Sequence, residues 1–380
     1  MVTRASSHKA SIEIVPYTAA HGEAVDRMNA KLAAGGSEWQ FPGQERPADA
    51  DELPVWTESF VAVEEEDAYG GYILKHQDFF LDGRRLPVGD LQLPLSLGEI
   101  DGAYSRVSAG LLFDVLRRSP HCYSLGLGSE ETQFAKLLAA AGWQHVAVPF
   151  YFSVKSGNRF ARSIRLPAEK RALQIVLRTL GRLGLAGVAL WARHRLAAHG
   201  KPAPPAEAYD DVLELPRFER FADGLFAAHA GSYSFVGDRS AAALDLLYPP
   251  EDERFIRLLV QRAGRPVGWA VLLDTRMRDD KYFGDLRVGS LVDCFAAPED
   301  AFSVVAAADE HLSRRGVDLV ASNQLHTAWC DALEQAGYQR GPSNFFFYFS
   351  SDLAEELGRL PNWDQRLHVN RGDGEGPTHL

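Results

Sequence analysis

Residues 262–273 read "RAGRPVGWAVLL". Charge clusters around a turn at Gly264–Pro266, and an apolar strand follows. About two hundred residues earlier, residues 64–76 read "EEEDAYGGYILKH" with the same rhythm: an acid-rich turn, glycines, then an apolar strand. One device used twice points to a chain built from two copies of a small α/β unit. The two halves share element order rather than long stretches of identity, so the repeat is one of pattern.

Working outward, the first half has a strand at 11–17 ("SIEIVPY"). A helix follows, with Ala24, Val25, Met28 and Leu32 at helical spacing and Gly35-Gly36 as its stop. After a long polar loop at 37–54 come three antiparallel strands, 59–64, 70–77 and 88–96. A helix at 103–118, a strand at 123–128, a helix at 130–142 and one or two strands in "QHVAVPFYFSVKS" complete the unit. On the third strand, Leu91, Leu93 and Leu95 are expected on one face and Asp90, Gln92 and Pro94 on the other. The second half repeats the order from "DVLEL" (211–215) to "NFFFYFS" (344–350). The expected organisation is one α/β (α+β) unit over 1–160, a helical linker over 161–208, a second unit over 209–355 and a polar tail over 356–380.

In the linker, Arg171, Arg178, Arg182 and Arg193 fall on one stripe at 100° per residue. Leu173, Val176, Leu177, Leu180, Leu183 and Trp191 fall opposite, and "KPAPPAE" closes the segment stiffly. Such a basic amphipathic helix either packs its apolar face on the two units or lies on an anionic lipid surface through residues 168–199. The glycine-rich tail "NWDQRLHVNRGDGEGPTHL" reads as disordered or draped.

Composition narrows the function. At 380 residues, 46% hydrophobic and 24% charged, the chain has room for two cores. A net charge of −11 argues against nucleic acid as the partner. Cys122, Cys294 and Cys330 lie far apart with no CxxC, and none of the twelve histidines makes an HxxxH pair, so no metal site is expected. The opening residues carry no apolar signal region, and the longest apolar run, 183–192, is far short of the ~20 residues that span a bilayer. A cytoplasmic protein is expected.

The element order, the hairpin "AGRPVGWAVLL" and the helix endings "LLAAAGWQHV" (137–146) and "ALEQAGYQRG" (332–341) resemble the GCN5-related N-acetyltransferase (GNAT) superfamily in both halves. The run "GGYILKHQ", then "GDLQLPLSLGEIDGAYSRVSAGLL", then "SLGLG", resembles tandem GNAT-like proteins associated with bacterial polysaccharide biosynthesis. The resemblance implies an acyl-CoA-dependent N-acyltransferase, with acetyl-CoA or another acyl-CoA as donor. It implies a small-molecule acceptor such as an amino-sugar or similar envelope or exopolysaccharide precursor. It also implies a diphosphate cradle at a helix N-terminus, here Ser105, Arg106, Val107, Ser108, Ala109 and Gly110. In the second half the same place holds Pro298, Glu299 and Asp300, which would repel a diphosphate. The superfamily's tyrosine acid is replaced by Leu138 and Leu333. Asp90, Glu99 and His76 are the candidate base set in its stead. Asp293, Cys294 and His326 suggest a second cluster, with Cys294 read as a buried small side chain. Two other readings stay open. One is a GNAT-fold binding or scaffold protein without catalysis. The other is an aminoacyl-tRNA-dependent transferase of the peptidoglycan-bridge type, although its long helical hairpin is not seen in the sequence.

Overall fold

The computed structural model describes residues 12–128, 132–165, 171–183 and 209–374. The first half runs β1 (Glu13–Pro16), α1 (Gly22–Ala34), β2 (Val55–Glu64), β3 (Asp67–Leu81), β4 (Arg84–Ser96), α2 (Ser105–Arg118), β5 (Cys122–Leu127), α3 (Gln133–Ala140), β6 (Gln144–Ala147) and β7 (Phe150–Val154). Two short linker helices follow, α4 (Gly157–Ser163) and α5 (Arg171–Arg182). The second half runs β8 (Asp211–Leu215), α6 (Arg220–His229), β9 (Phe235–Gly237), α7 (Ala241–Leu247), β10 (Ile256–Arg262), β11 (Arg265–Arg276), β12 (Arg287–Ala296), α8 (Ala301–Arg314), β13 (Leu319–Asn323), α9 (Thr327–Gln335), β14 (Gln339–Gly341), β15 (Phe345–Phe349), α10 (Ser351–Gly358) and β16 (Leu367–His368).

The two opening stretches are hairpin strands, as their rhythm implied. Chain reversal between β10 and β11 falls on Ala263 and Gly264, both at positive φ (51° and 69°). In the stretch 64–76 the reversal, between β2 and β3, falls on Glu65 (φ 54°) and Glu66, and the next reversal, between β3 and β4, falls on Asp82 and Gly83 (46° and 85°). A two-residue loop with both φ positive matches the twist of paired strands. Pro266 therefore belongs to β11 and not to the turn.

Two sheets result, and they correspond strand by strand. One is ordered β1-β2-β3-β4-β5-β15-β6, the other β8-β10-β11-β12-β13-β7-β14. The halves have exchanged their last long strand. β7 lies between β13 and β14 of the second sheet, and β15 lies between β5 and β6 of the first. The boundary expected at residue 160 therefore does not separate self-contained sheets. Pro149 and Pro342 sit in the short connections before β7 and β15, where a missing N–H interrupts the ladder as the chain passes from one sheet to the other. A further strand not anticipated from sequence, β9, extends the first sheet by pairing with Phe79–Leu81 of β3.

Separate cores flank the first sheet, one holding Phe60, Leu74, Leu91 and Leu111, the other Met28, Leu32, Phe41 and Leu95. Gly71 sits where any Cβ would lie 2.7 Å from the Phe41 ring and 2.8 Å from the Phe60 carbonyl, so this contact needs glycine. A third core joins the halves through Phe79, Tyr123, Phe235, Phe347, Leu367 and Val369. The last two come from the segment expected to be a disordered or draped tail. Instead, α10 crosses the expected boundary at 356, and Leu367–Asp373 is buried between the halves.

The linker also departs from one expectation. Gly181 of α5 packs on Asn158 and Ala161 of α4, and Leu177 and Leu180 are half-buried, but Leu173, Val176 and Leu183 of the apolar stripe remain half or more exposed. Arg193, Trp191 and the prolines of "KPAPPAE" lie outside the described residues. Among the described residues no helix is long and apolar enough to cross a membrane.

Candidate active site

β4 and β5 are paired in parallel only at Gly89–Cys122 and Asp90–Tyr123. Beyond that point β4 bulges. Gln92 lies opposite Ile73 and Leu95 opposite Gly71, so Leu93 and Pro94 together face Tyr72. Leu93 takes a positive φ of 43° to make the turn. The bulge overturns the expected alternation: Leu91 packs in the α2 core, whereas Leu95 packs with α1. It also bends β4 away from β5 and opens a wedge. There, between α2 and α3, lies a cavity of about 330 Å³. Its floor is apolar (Leu91, Leu111, Leu112, Leu137) and its polar lining includes Ser96, Glu99, Ser105, Ser108 and Lys136.

The cradle residues divide. Ser105 and Ser108 line the cavity, and Arg106 is exposed in the same first turn. Ser108 Oγ is hydrogen-bonded to Ser96 Oγ at 2.7 Å. Val107 instead points into the core. A Cβ on Gly110 would meet Ile14, and neither Gly110 nor Ala109 lines the cavity. A 3-10 turn, Gly102–Tyr104, leads straight into α2. It engages the N–H groups of Ala103 (to the Asp101 carboxylate, 2.9 Å), Tyr104 (to the Asp101 carbonyl, 3.0 Å) and Ser105 (to the Gly102 carbonyl). The row of open backbone donors expected over 105–110 is thus shortened. The Ser105 hydroxyl and the Lys136 ammonium are side-chain donors in the lining, and the Arg106 guanidinium is exposed in the adjoining turn. Tyr104 packs on Tyr69, with ring centroids 5.3 Å apart, and does not line the cavity.

The three candidate bases are not brought together. Glu99 reaches the cavity from the 3-10 turn after β4. Its carboxyl pKa is raised because the wall desolvates it, an effect the Ser96 N–H partly offsets from 3.3 Å. His76 lies opposite Gly89, seven residues from Ser96 along β4, which is about 20 Å at ~3.3 Å per residue. There it stacks on Trp56 (3.7 Å) and faces Glu58 at 3.0 Å. Asp90 is buried and pairs with Lys75 at 3.2 Å, with Gln92 donating to it at 2.6 Å.

Asp90 opens a buried polar network that sequence reading missed. Lys75 and Tyr123 both donate to the Asp373 carbonyl, at 2.5 and 2.6 Å. Arg239, fully buried, pairs with Asp373 at 2.5 Å and Asp293 at 2.9 Å. Asp293 also accepts from Tyr248 (2.7 Å) and Asn370 (2.8 Å). The one signal in the sequence was Lys75 itself, a charge between the apolar Tyr72-Ile73-Leu74 run and the strand centre.

The corresponding place in the second half is occupied by the chain itself. β12 and β13 part after Leu291–Ser322, and the chain's own residues 368–370 fill the gap. His368 Nε2 contacts the Cys294 carbonyl at 2.8 Å, Leu325 N–H donates to the Val369 carbonyl at 3.0 Å, and Gln324 bridges Asn370. At the start of α8, Asp300 is paired with Arg262 at 2.8 Å. Cys294 is buried and its thiol pKa is pushed up by desolvation. His326 caps α9 through Nδ1, and burial lowers its pKa to about 3. Asp293, Cys294 and His326 are thus parts of a packed polar core. No group of three or more His, Cys, Asp or Glu among the described residues could hold a metal ion.

No protein-family model matches the chain, and no curated protein does. Solved structures do. A conserved Enterococcus faecalis V583 protein of unknown function, described as a "probable N-acyltransferase", superposes with TM-score 0.52 at 10% identity, over 92% of this chain and 75% of that one. Saccharomyces cerevisiae N-myristoyltransferase, seen with bound myristoyl-CoA and inhibitors, gives 0.50 at 12%, over 90% and 80%. A tandem GNAT protein from the clavulanic acid biosynthesis pathway gives 0.43 at 14%, over 90% and 98%. At such identities the likeness is one of fold. The chain shares the fold of these N-acyltransferase structures: two mixed, mostly antiparallel sheets flanked by helices.

Proposed function

We propose that the chain is an acyl-CoA-dependent N-acyltransferase working from the cavity of its first half. The donor is acetyl-CoA or another acyl-CoA, and the acceptor is the amino group of an amino-sugar or a similar envelope or exopolysaccharide precursor. The observation that carries this reading is the wedge between β4 and β5, with its apolar floor, Ser105 and Lys136 in its lining, and Arg106 exposed in the adjoining first turn of α2. An apolar slot suits the thin arm and acyl group of the donor. Two cations and a hydroxyl suit its phosphates, and they take over from the backbone donors engaged by the 3-10 turn. The second half contributes scaffold, because its own wedge is filled.

In the transfer, the amine nitrogen bonds to the thioester carbonyl carbon, the C–S bond breaks, and the amine proton must leave. Glu99 is the base: it lines the cavity, and its raised pKa makes it a better proton acceptor than an ordinary glutamate. With apolar, buried Leu138 where the superfamily carries a tyrosine, the thiolate takes its proton from solvent. Titration calorimetry with acetyl-CoA tests the donor. Micromolar binding that falls more than about tenfold in Arg106→Glu and in Lys136→Glu is expected, each change reversing a charge at the phosphates. No binding of any acyl-CoA would favour the second reading, a GNAT-fold binding protein, which the engaged N–H groups and Leu138 support.

A further inference from the structure

The linker carries a feature the transfer reaction does not use. Residues 155–183 hold eight lysines and arginines against one acidic residue, Glu169, in a chain of net charge −11, and of the eight only Lys155, Arg159 and Arg165 have ion-pair partners among the described residues, Asp309, Asp318 and Asp279. On α5, Leu173, Val176, Leu180 and Leu183 share an arc of about 80° at 100° per residue. Leu173 is 50% exposed, Val176 53% and Leu183 67%. The helix is held to the body by another side. Gly181 sits so close to α4 that a Cβ there would meet the Asn158 carbonyl at 2.9 Å, and Gln174 donates to the Ile164 carbonyl. The apolar arc is therefore fixed outward. Arg178 and Arg182 are exposed on the opposite, polar face of α5, and Arg162 is exposed on α4.

We propose that α4 and α5 form a docking face for an anionic lipid bilayer. A partner must answer both features at once. Nucleic acid supplies negative charge but no apolar surface for Leu173, Val176 and Leu183. A second copy meeting this face with its own same face supplies apolar surface but sets arginines against arginines. A bilayer with anionic headgroups supplies both: the arc sinks to the acyl boundary and the arginines reach back to the phosphates. This inference does not depend on the transferase reading, because none of these residues lines the donor cavity.

The test is sedimentation of the full chain with phosphatidylcholine vesicles, with and without about 30% phosphatidylglycerol. Binding to the anionic vesicles alone is expected. Arg178→Glu/Arg182→Glu should weaken it at least about thirty-fold, at roughly tenfold per 1.4 kcal/mol and ~1 kcal/mol for each charge near the surface. Val176→Glu/Leu183→Glu should weaken it by more than about tenfold. Both variants should keep the wild-type urea midpoint, which separates lost binding from lost folding. The proposal is overturned if wild type fails to sediment with anionic vesicles, or if the apolar variant still binds them and also binds DNA. It is equally overturned if light scattering shows a dimer that Val176→Glu/Leu183→Glu dissociates in a chain that ignores vesicles.

Discussion

Replacing Arg239 by methionine should cost more stability than any other single change in the junction. Arg239 is fully buried and faces two carboxylates, Asp373 at 2.5 Å and Asp293 at 2.9 Å, which are themselves 1% and 0% exposed. Methionine fills much of the same space, so little of the loss is cavity. What remains are two buried anions whose shared cation is gone. Removing one partner of a buried ion pair costs about 3–5 kcal/mol, and two orphaned carboxylates place this case at the upper end. The residual contacts, from Tyr248 and Asn370 to Asp293 and from the Asn370 N–H to Asp373, do not carry positive charge. The assay is equilibrium urea unfolding at neutral pH. Wild type should unfold in a single transition, because each sheet holds a strand of the other half. The triple variant Arg239→Met/Asp293→Asn/Asp373→Asn should regain most of the loss, since a neutral junction has no charge to strand. Asp373→Asn alone, which keeps an acceptor for the Asn370 N–H, should cost about 1.5–3 kcal/mol and stays measurable if Arg239→Met is too unstable to purify. A loss below about 1 kcal/mol in Arg239→Met, or no recovery in the triple variant, would refute the claim that this ion network clamps the halves.

Three further outcomes follow. Because the Glu99 carboxyl pKa is raised, the folded state favours its neutral form. Its stabilising share is present at low pH and lost as pH rises through the raised value, while the ionised form needed for transfer appears over the same interval. The acid limb of kcat/KM should therefore lie above the ordinary glutamate range and vanish in Glu99→Gln; an unchanged limb removes Glu99 as the base. Gly372→Ala should destabilise by several kcal/mol, since its Cβ would lie 2.1 Å from the Tyr248 hydroxyl and 2.8 Å from Asp293 Cβ; a wild-type urea midpoint would contradict the buried path of the C-terminal segment. Burial holds His326 neutral, with a folded pKa of about 3, so its stability contribution is full above an unfolded pKa of ~6.5 and falls as pH drops from there toward 3. His326→Asn, which keeps a side-chain acceptor at the α9 cap, should flatten the stability–pH slope in that window; an equal slope would be contrary evidence.

Each kind of misreading had its own physical cause. The helix stops, the hairpins and the strand order of both halves could be read because they depend on neighbours within a few residues: Gly35-Gly36, Asp82-Gly83, Ala263-Gly264. The face on which Leu95 lies could not, because one positive φ at Leu93 reverses the alternation from that point on. The cavity was legible in part. Ser105, Ser108 and Glu99 are close in sequence to the bulge that opens it, whereas Lys136 arrives from another helix. His76 and Asp90 looked equivalent to Glu99 as polar strand residues, and only their distance and facing separate them.

By itself the sequence determined that there are two units of one kind, because period-2 alternation, glycine turns and helix stops are set by local sterics and burial. Tertiary structure alone decided which sheet receives β7 and β15, since alternation makes a strand but does not name its partner. It alone decided the fate of "RGD", residues 371–373, too. A glycine-rich polar segment has no burial of its own to offer, and it enters the core only because Arg239 and Lys75, well over a hundred residues away, supply the charge and hydrogen bonds that make burial affordable.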